Sequence, residues 1–212
     1  MKGLVALLLL ALTALPALAT QDRWPSLFDV TGVAADDVLN IRAAPDAGAP
    51  IIGTLDPDAT SVEILEPNDR HTWGKVNTQE GTGWINLSFV RLQPGQFYGA
   101  VPERALCHGT EPFWSLRLDD GTMTYEAMDA GAPQVGRIDA VSQSLNHPGR
   151  SAVTGIFERT EDSQFLDGVA MLSNEACSDG MSDRAYGFRV DLILGNIEGF
   201  EMRSGCCSLV GD

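Results

Sequence analysis

The sequence predicts an all-β protein of two small antiparallel barrels, the second of them disulfide-stabilised. Three observations carry this. From residue 27 onward, short apolar stretches alternate with turn residues, and none sustains a 3.6-residue period. Twenty-two Gly and eleven Pro in 212 residues imply frequent turns and short elements. All four cysteines lie after residue 100, which separates a Cys-free half from a Cys-bearing one. A 44% hydrophobic fraction supports a packed core, and the length suits one or two domains. The net charge of −15 argues against nucleic acid, since little basic surface is available to neutralise phosphates. It argues equally against docking on anionic lipid headgroups.

Residues 1–19 read as a secretory signal peptide. Lys2 supplies the positive start, Leu4 to Leu15 the apolar run, and Ala17-Leu18-Ala19 the small-x-small cleavage signature. The run is shorter than the roughly 20 apolar residues that a spanning helix needs, so no membrane span is expected after cleavage. The mature chain is expected to begin near Thr20 in an exported, periplasmic or secreted setting.

Residues 27–93 read as the first barrel. Phe28-Asp29-Val30 opens it, and Leu39 and Ile41 alternate with Asn40 and Arg42. Ala44-Pro45-Asp46-Ala47-Gly48 is a turn cluster. Strands are predicted at Ile51–Leu55, Ser61–Leu65, Thr72–Val76 and Gly83–Asn86, with Phe89-Val90 closing the set.

Leu39-Asn40-Ile41-Arg42 with Pro45, then Ile52-Gly53-Thr54-Leu55, Trp73-Gly74-Lys75-Val76 and Gly81-Thr82-Gly83-Trp84-Ile85 closely resemble the bacterial SH3 domain. The resemblance implies an SH3-like small barrel, of a kind found on cell-wall hydrolases and envelope proteins and commonly binding peptidoglycan or peptides. Trp73 and Trp84 are the candidate ligand-binding residues, because aromatic rings with a polar edge suit shallow glycan or peptide grooves. Core packing is the competing role for both, since a domain this small needs large aromatics to bury enough area.

Gln93-Pro94-Gly95-Gln96 reads as a linker, and residues 98–212 as the second domain. A strand is predicted at Phe113–Leu118, with Trp114, Leu116 and Leu118 on one face. Asp119-Asp120-Gly121 signals a hairpin, and Thr122–Met128 returns with Met123, Tyr125 and Ala127 alternating. Further strands are expected near Ser151–Phe157 and Phe165–Leu172. Tyr186–Leu194 and Ile197–Met202 form a last hairpin around Gly195-Asn196. A three-residue loop there would pair Leu192 with Phe200 and Val190 with Met202, building one apolar face. Continuing that parity puts Cys206 inside and Cys207 outside.

Cys107, Cys177, Cys206 and Cys207 are an even set on an exported chain, so disulfides are expected and a metal site is not. A bridge between adjacent Cys206 and Cys207 is disfavoured by geometry, which leaves two pairings open.

Cys107-His108-Gly109-Thr110-Glu111-Pro112-Phe113-Trp114 and Cys177-Ser178-Asp179-Gly180-Met181-Ser182 resemble a family of exported bacterial proteins of unknown function with C-x-G-x-E-P-F-W and C-x-D-x-M-S signatures. The resemblance implies a compact antiparallel barrel and points to Cys177–Cys206, which leaves Cys107 for Cys207. A ligand site made from Glu111, Trp114, Met181 and Ser182 is one reading of the motifs. The other is structural, with Trp114 as a core anchor and Asp179 and Ser182 bonding nearby backbone in a turn.

Catalytic signatures are missing. The histidines are His71, His108 and His147, and no G-x-S-x-G elbow, H-E-x-x-H motif, phosphate-cradling glycine loop or EF-hand spacing occurs. His108 follows Cys107 directly, so a strand would point the two apart. The expectation is a non-catalytic, cofactor-free binding or adaptor protein of the cell envelope, engaging peptidoglycan or an envelope protein or peptide. The alternatives are a cell-wall hydrolase with an SH3-type targeting domain, whose carboxylates could include a glycosidase-like pair, and an inhibitor-like or small-ligand-binding barrel.

Overall fold

A computed structural model describes residues 23–128, 131–158 and 165–211. The expected leader, residues 1–19, lies outside the described residues.

The first half forms two small sheets. Strands β1 (Ser26–Val30), β4 (Val62–Ile64) and β8 (Val90–Leu92) make one, in the order β4-β1-β8. The other runs β3-β2-β7-β6-β5 and comprises β2 (Leu39–Arg42), β3 (Ile51–Leu55), β5 (Glu66–Pro67), β6 (Trp73–Asn77) and β7 (Thr82–Asn86). Alternation decides which residues point inward. Phe28, Val30, Leu39, Ile41, Ile64, Val76 and Ile85 form the core between the sheets. Gly74 and Gly83 occupy inward positions where a Cβ would collide with Ile64 and Ile41.

The second half is a closed eight-stranded barrel in which consecutive strands pair antiparallel and the last meets the first. Its strands are β9 (Ala105–Gly109), β10 (Trp114–Asp119), β11 (Thr122–Ala127), β12 (Gln134–Gln143), β13 (Arg150–Glu158), β14 (Phe165–Ser173), β15 (Phe188–Asn196) and β16 (Gly199–Leu209). Closure leaves no free sheet edge. The interior is packed with side chains, among them Trp114, Leu116, Met123, Phe157, Val190 and Leu192. Inward glycines make room for Phe157: a Cβ on Gly168 would stand 2.5 Å from Phe157 Cε2, and one on Gly136 2.9 Å from Phe157 Cδ1.

Two barrel strands went unpredicted. β9 carries only one strong apolar residue beside Ala105 and Cys107. β12 has polar residues at five of its ten positions, Gly136 takes an inward place, and a bulge between Ile138 and Ala140 breaks its alternation.

The last hairpin differs from expectation. Asn196 pairs with Gly199 and Leu192 with Arg203, so the turn is Ile197-Glu198 and not the three-residue loop anticipated. Phe200 and Met202 therefore point outward and are exposed. The far end of β16 sets this register: closing on β9 requires Cys207 opposite Cys107 and Leu209 opposite Ala105. Arg203 takes an inward position and lies over the Tyr125 ring, 5.7 Å from its centroid. The faces of the adjacent cysteines are accordingly exchanged. Cys207 is interior and Cys206 lies on the outer face, buried instead beneath the segment that carries Cys177. The bridges are Cys107–Cys207 and Cys177–Cys206, as the family resemblance implied.

Side chain-to-backbone hydrogen bonds join the two halves. Asn77 exchanges two with Ala185, at 2.9 and 3.0 Å. Asn174 donates to the Trp24 carbonyl, and Leu27 packs against the barrel core. The expected linker is held down: the Gln96 amide exchanges hydrogen bonds with the Leu27 backbone, and Gln93 donates to Asp29.

Candidate functional site

Trp73 and Trp84 lie outside the first-half core. On β6 and β7 the residues Gly74, Val76, Gly83 and Ile85 turn inward, so Trp73, Lys75, Trp84 and Asn86 turn outward. The register pairs Trp73 with Asn86 and Lys75 with Trp84, which makes the two indoles diagonal neighbours on one sheet face. Arg42 of β2 extends that face beside Trp84. Trp73 lines a groove of about 470 Å³ with Asn40, Arg42, Asn86 and Phe89. The Lys75 ammonium sits 5.4 Å from the Trp84 ring centroid, a cation–π contact that holds the indole against the sheet. The Lys75 ammonium is also ion-paired with Glu66, so the face combines half-buried aromatic surface with the amide of Asn86 and the guanidinium of Arg42 as donors.

The two cysteine-containing motifs of the barrel converge on Asp179. Residues 174–187 loop back on themselves through a bridge between Cys177 and Tyr186, and the Cys177–Cys206 disulfide pins the loop to β16. Asp179 Oδ1 accepts the backbone N–H groups of Met181 and Ser182, each at 3.0 Å. Its Oδ2 accepts the hydroxyls of Ser182 at 2.8 Å and Tyr186 at 3.1 Å. His108 Nε2 of the other motif stands 3.8 Å away, and its ring meets Tyr186 edge-on. Burial acts to raise the Asp179 carboxyl, but these four hydrogen bonds outweigh it and hold the group below the usual carboxylate range. Burial pushes the Tyr186 hydroxyl up.

Beside this hub runs an open groove of about 630 Å³, whose lining includes His108, Phe113, Trp114, Glu126, Met128 and Met181. Of the four residues expected to form a barrel site, the structure brings Trp114 and Met181 to this groove. Trp114 is 5% exposed and belongs to the core, so it offers the groove only an edge. Glu111 is exposed in a left-handed turn conformation, with φ of 55°, and does not line the groove. Ser182 is turned toward Asp179, so its role is to close the turn. His108, Phe113 and Met128 were not anticipated as groove residues. Strand alternation from Cys107 inward gives His108 outward, but only the fold shows it facing Asp179.

Residues 37–96 match the family model described as the bacterial SH3 domain. No curated protein and no solved structure matches the chain. The two disulfides are compatible with an extracellular or periplasmic location. Among the described residues no helix is long and apolar enough to cross a membrane.

Proposed function

We propose that the protein is an exported, non-catalytic binding protein of the cell envelope, whose SH3 domain engages peptidoglycan or a peptide through the Trp73–Trp84 face. One observation carries this: both indoles are turned out of the core onto the same sheet face, beside Arg42, Lys75 and Asn86. A half-buried tryptophan offers contact area already stripped of much water and held by few rotors, so little entropy is lost when a sugar ring or peptide stacks on it. Neighbouring amide and guanidinium donors suit the carbonyl and carboxylate oxygens of such ligands. A bacterial SH3 domain is itself associated with cell-wall binding, which supports the same reading. The packed interior of the second barrel favours a surface-binding or spacing role for that domain over a ligand held in a lumen.

The test is retention of the mature protein on purified peptidoglycan, with turbidity followed on the same material. Retention that falls about tenfold in Trp73→Ala, with no loss of turbidity, is expected. Clearing of the suspension that survives Trp73→Ala and disappears on changing a carboxylate would replace this reading with a wall hydrolase.

A further inference from the structure

Where the two halves meet, they form a cleft of about 500 Å³ that is separate from the tryptophan face and borders the Asp179 groove at His108. Leu55, Val62 and Val76 wall it from the SH3 side, and Leu106 and Leu209 from the barrel. Into this apolar junction β4 projects the carboxyl of Glu63. Its Oε1 accepts the Leu209 backbone N–H at 2.7 Å, and the Ser208 hydroxyl also bonds it. None of the ion pairs among the described residues involves Glu63. Arg184 acts on it only at longer range, its guanidinium lying over the Tyr186 ring 5.9 Å from the centroid.

A carboxyl desolvated between apolar walls, with a cation only at longer range, is where an incoming ammonium gains most, because the charge it meets is poorly screened. Apolar walls beside it suit a methylene stem. Clefts at domain junctions, largely apolar with a few converging polar groups, are common ligand sites. We propose that the interdomain cleft binds a primary alkylamine of the kind a lysine-like side chain carries, with the ammonium on Glu63 and the stem along Leu55, Val62 and Leu106. The proposal is independent of the peptidoglycan reading.

Binding is linked to protons. Burial pushes the Glu63 carboxyl up to about 7. The ammonium needs the carboxylate, so binding at mildly acidic pH expels a proton and is weakened accordingly. The other charged or titratable groups facing the cleft are His108 of β9 and Arg184 and Tyr186 of the loop, with Asp179 behind His108; β16 and β6 contribute only Ser208 and Asn77. Glu63 shares the cleft with these groups, so a variant is required to isolate its part.

The full mature chain is titrated with n-pentylamine by calorimetry, with n-pentanol as the uncharged control. Saturable binding is expected at pH about 8, weakened at least tenfold at pH about 5.5 with proton release, and lost in Glu63→Gln while n-pentanol fails to compete. Arg184→Glu, a change at an exposed residue, should tighten binding, and it serves as the decisive variant should Glu63→Gln fail to fold. Undiminished binding by Glu63→Gln, no saturation with wild type, or weaker binding by Arg184→Glu would each overturn the proposal. None of these outcomes bears on retention by Trp73, so the two readings fail separately.

Discussion

Tyr186 donates its hydroxyl to Asp179 Oδ2 over 3.1 Å, fastening the C-x-D-x-M-S turn to the segment that returns toward β15. Asp179 accepts from four donors in all, two of them backbone N–H groups that would otherwise be left within the turn. The motif is therefore a hydrogen-bonded clasp around one carboxylate, with the disulfide from Cys177 as its anchor.

Asp179→Asn should destabilise the protein by about 1–3 kcal/mol at neutral pH, because an amide presents one acceptor where the carboxylate presents two. The folded-state pKa lies below that of the unfolded chain, so the contribution is fully present above about pH 4 and is lost as pH falls toward the folded value. Denaturant unfolding of wild type and variant from pH 7 down to pH 2 should show the gap narrowing in acid. A gap that stays constant over that range would exclude the charge as its source.

How far the sequence reveals this arrangement depends on whether the determinants are local. Leu39-Asn40-Ile41-Arg42 and Trp73-Gly74-Lys75-Val76 display their alternation openly, because each strand has one core face and one wet face. The register of β15 against β16 is not local. Phe200 and Met202 invite an inward assignment, yet the strand is committed at its other end, where Cys207 faces Cys107. One residue of slip reverses every side chain, and so Cys206 and Cys207 exchanged faces. Trp73 and Trp84 illustrate a different limit: composition cannot say whether an indole packs or projects, and the inward Gly74 and Gly83 are the only nearby sign that these project. Glu63 and His108 were unreadable as neighbours of one cleft, since they lie on β4 and β9, strands of different sheets far apart in the chain.

The glycines around Phe157 give a second prediction. Gly168→Ala would place a Cβ 2.5 Å from Phe157 Cε2 and 3.2 Å from Cδ2, in a ring site with no exposure. A destabilisation of about 1–3 kcal/mol is expected from overpacking. Phe157→Leu should cost stability alone but less in the Gly168→Ala background, and a double-mutant cycle measures that coupling. Strict additivity would show that the glycine is tolerant for another reason.

Glu63 carries an opposite pH signature to Asp179. Its folded pKa of about 7 lies above the unfolded value, so the group favours the folded state below about pH 4 and loses that advantage as pH rises through 7. The cost of holding an ionised Glu63 at pH 8 is on the order of 3 kcal/mol. Glu63→Gln keeps an oxygen for the Leu209 N–H and removes the charge, so its stability relative to wild type should improve from pH 5 to pH 8. Melting temperatures of both proteins across that range test this, and a difference independent of pH would show that the carboxyl remains well hydrated.

The two disulfides should differ in what they hold. Cys107 and Cys207 are fully buried, belong to the barrel core and join the first and last strands across 100 residues. Cys177 and Cys206 span 29 residues and tie a surface loop to the outer face of β16. Chain entropy alone gives about 4.7 kcal/mol for the longer closure and about 3.6 kcal/mol for the shorter. Packing widens the gap, because replacing the interior pair also leaves a void among Leu116, Phe188 and their neighbours. The double variant Cys107→Ala/Cys207→Ala should therefore lose more global stability in denaturant unfolding than Cys177→Ala/Cys206→Ala. Paired substitution avoids stray thiols. The second variant should instead loosen the loop locally: the Met181 and Ser182 amides, which donate to Asp179, should exchange faster while amides of β13 and β14 keep their protection. A larger global loss from the Cys177/Cys206 pair would contradict the assignment of Cys207 to the interior face.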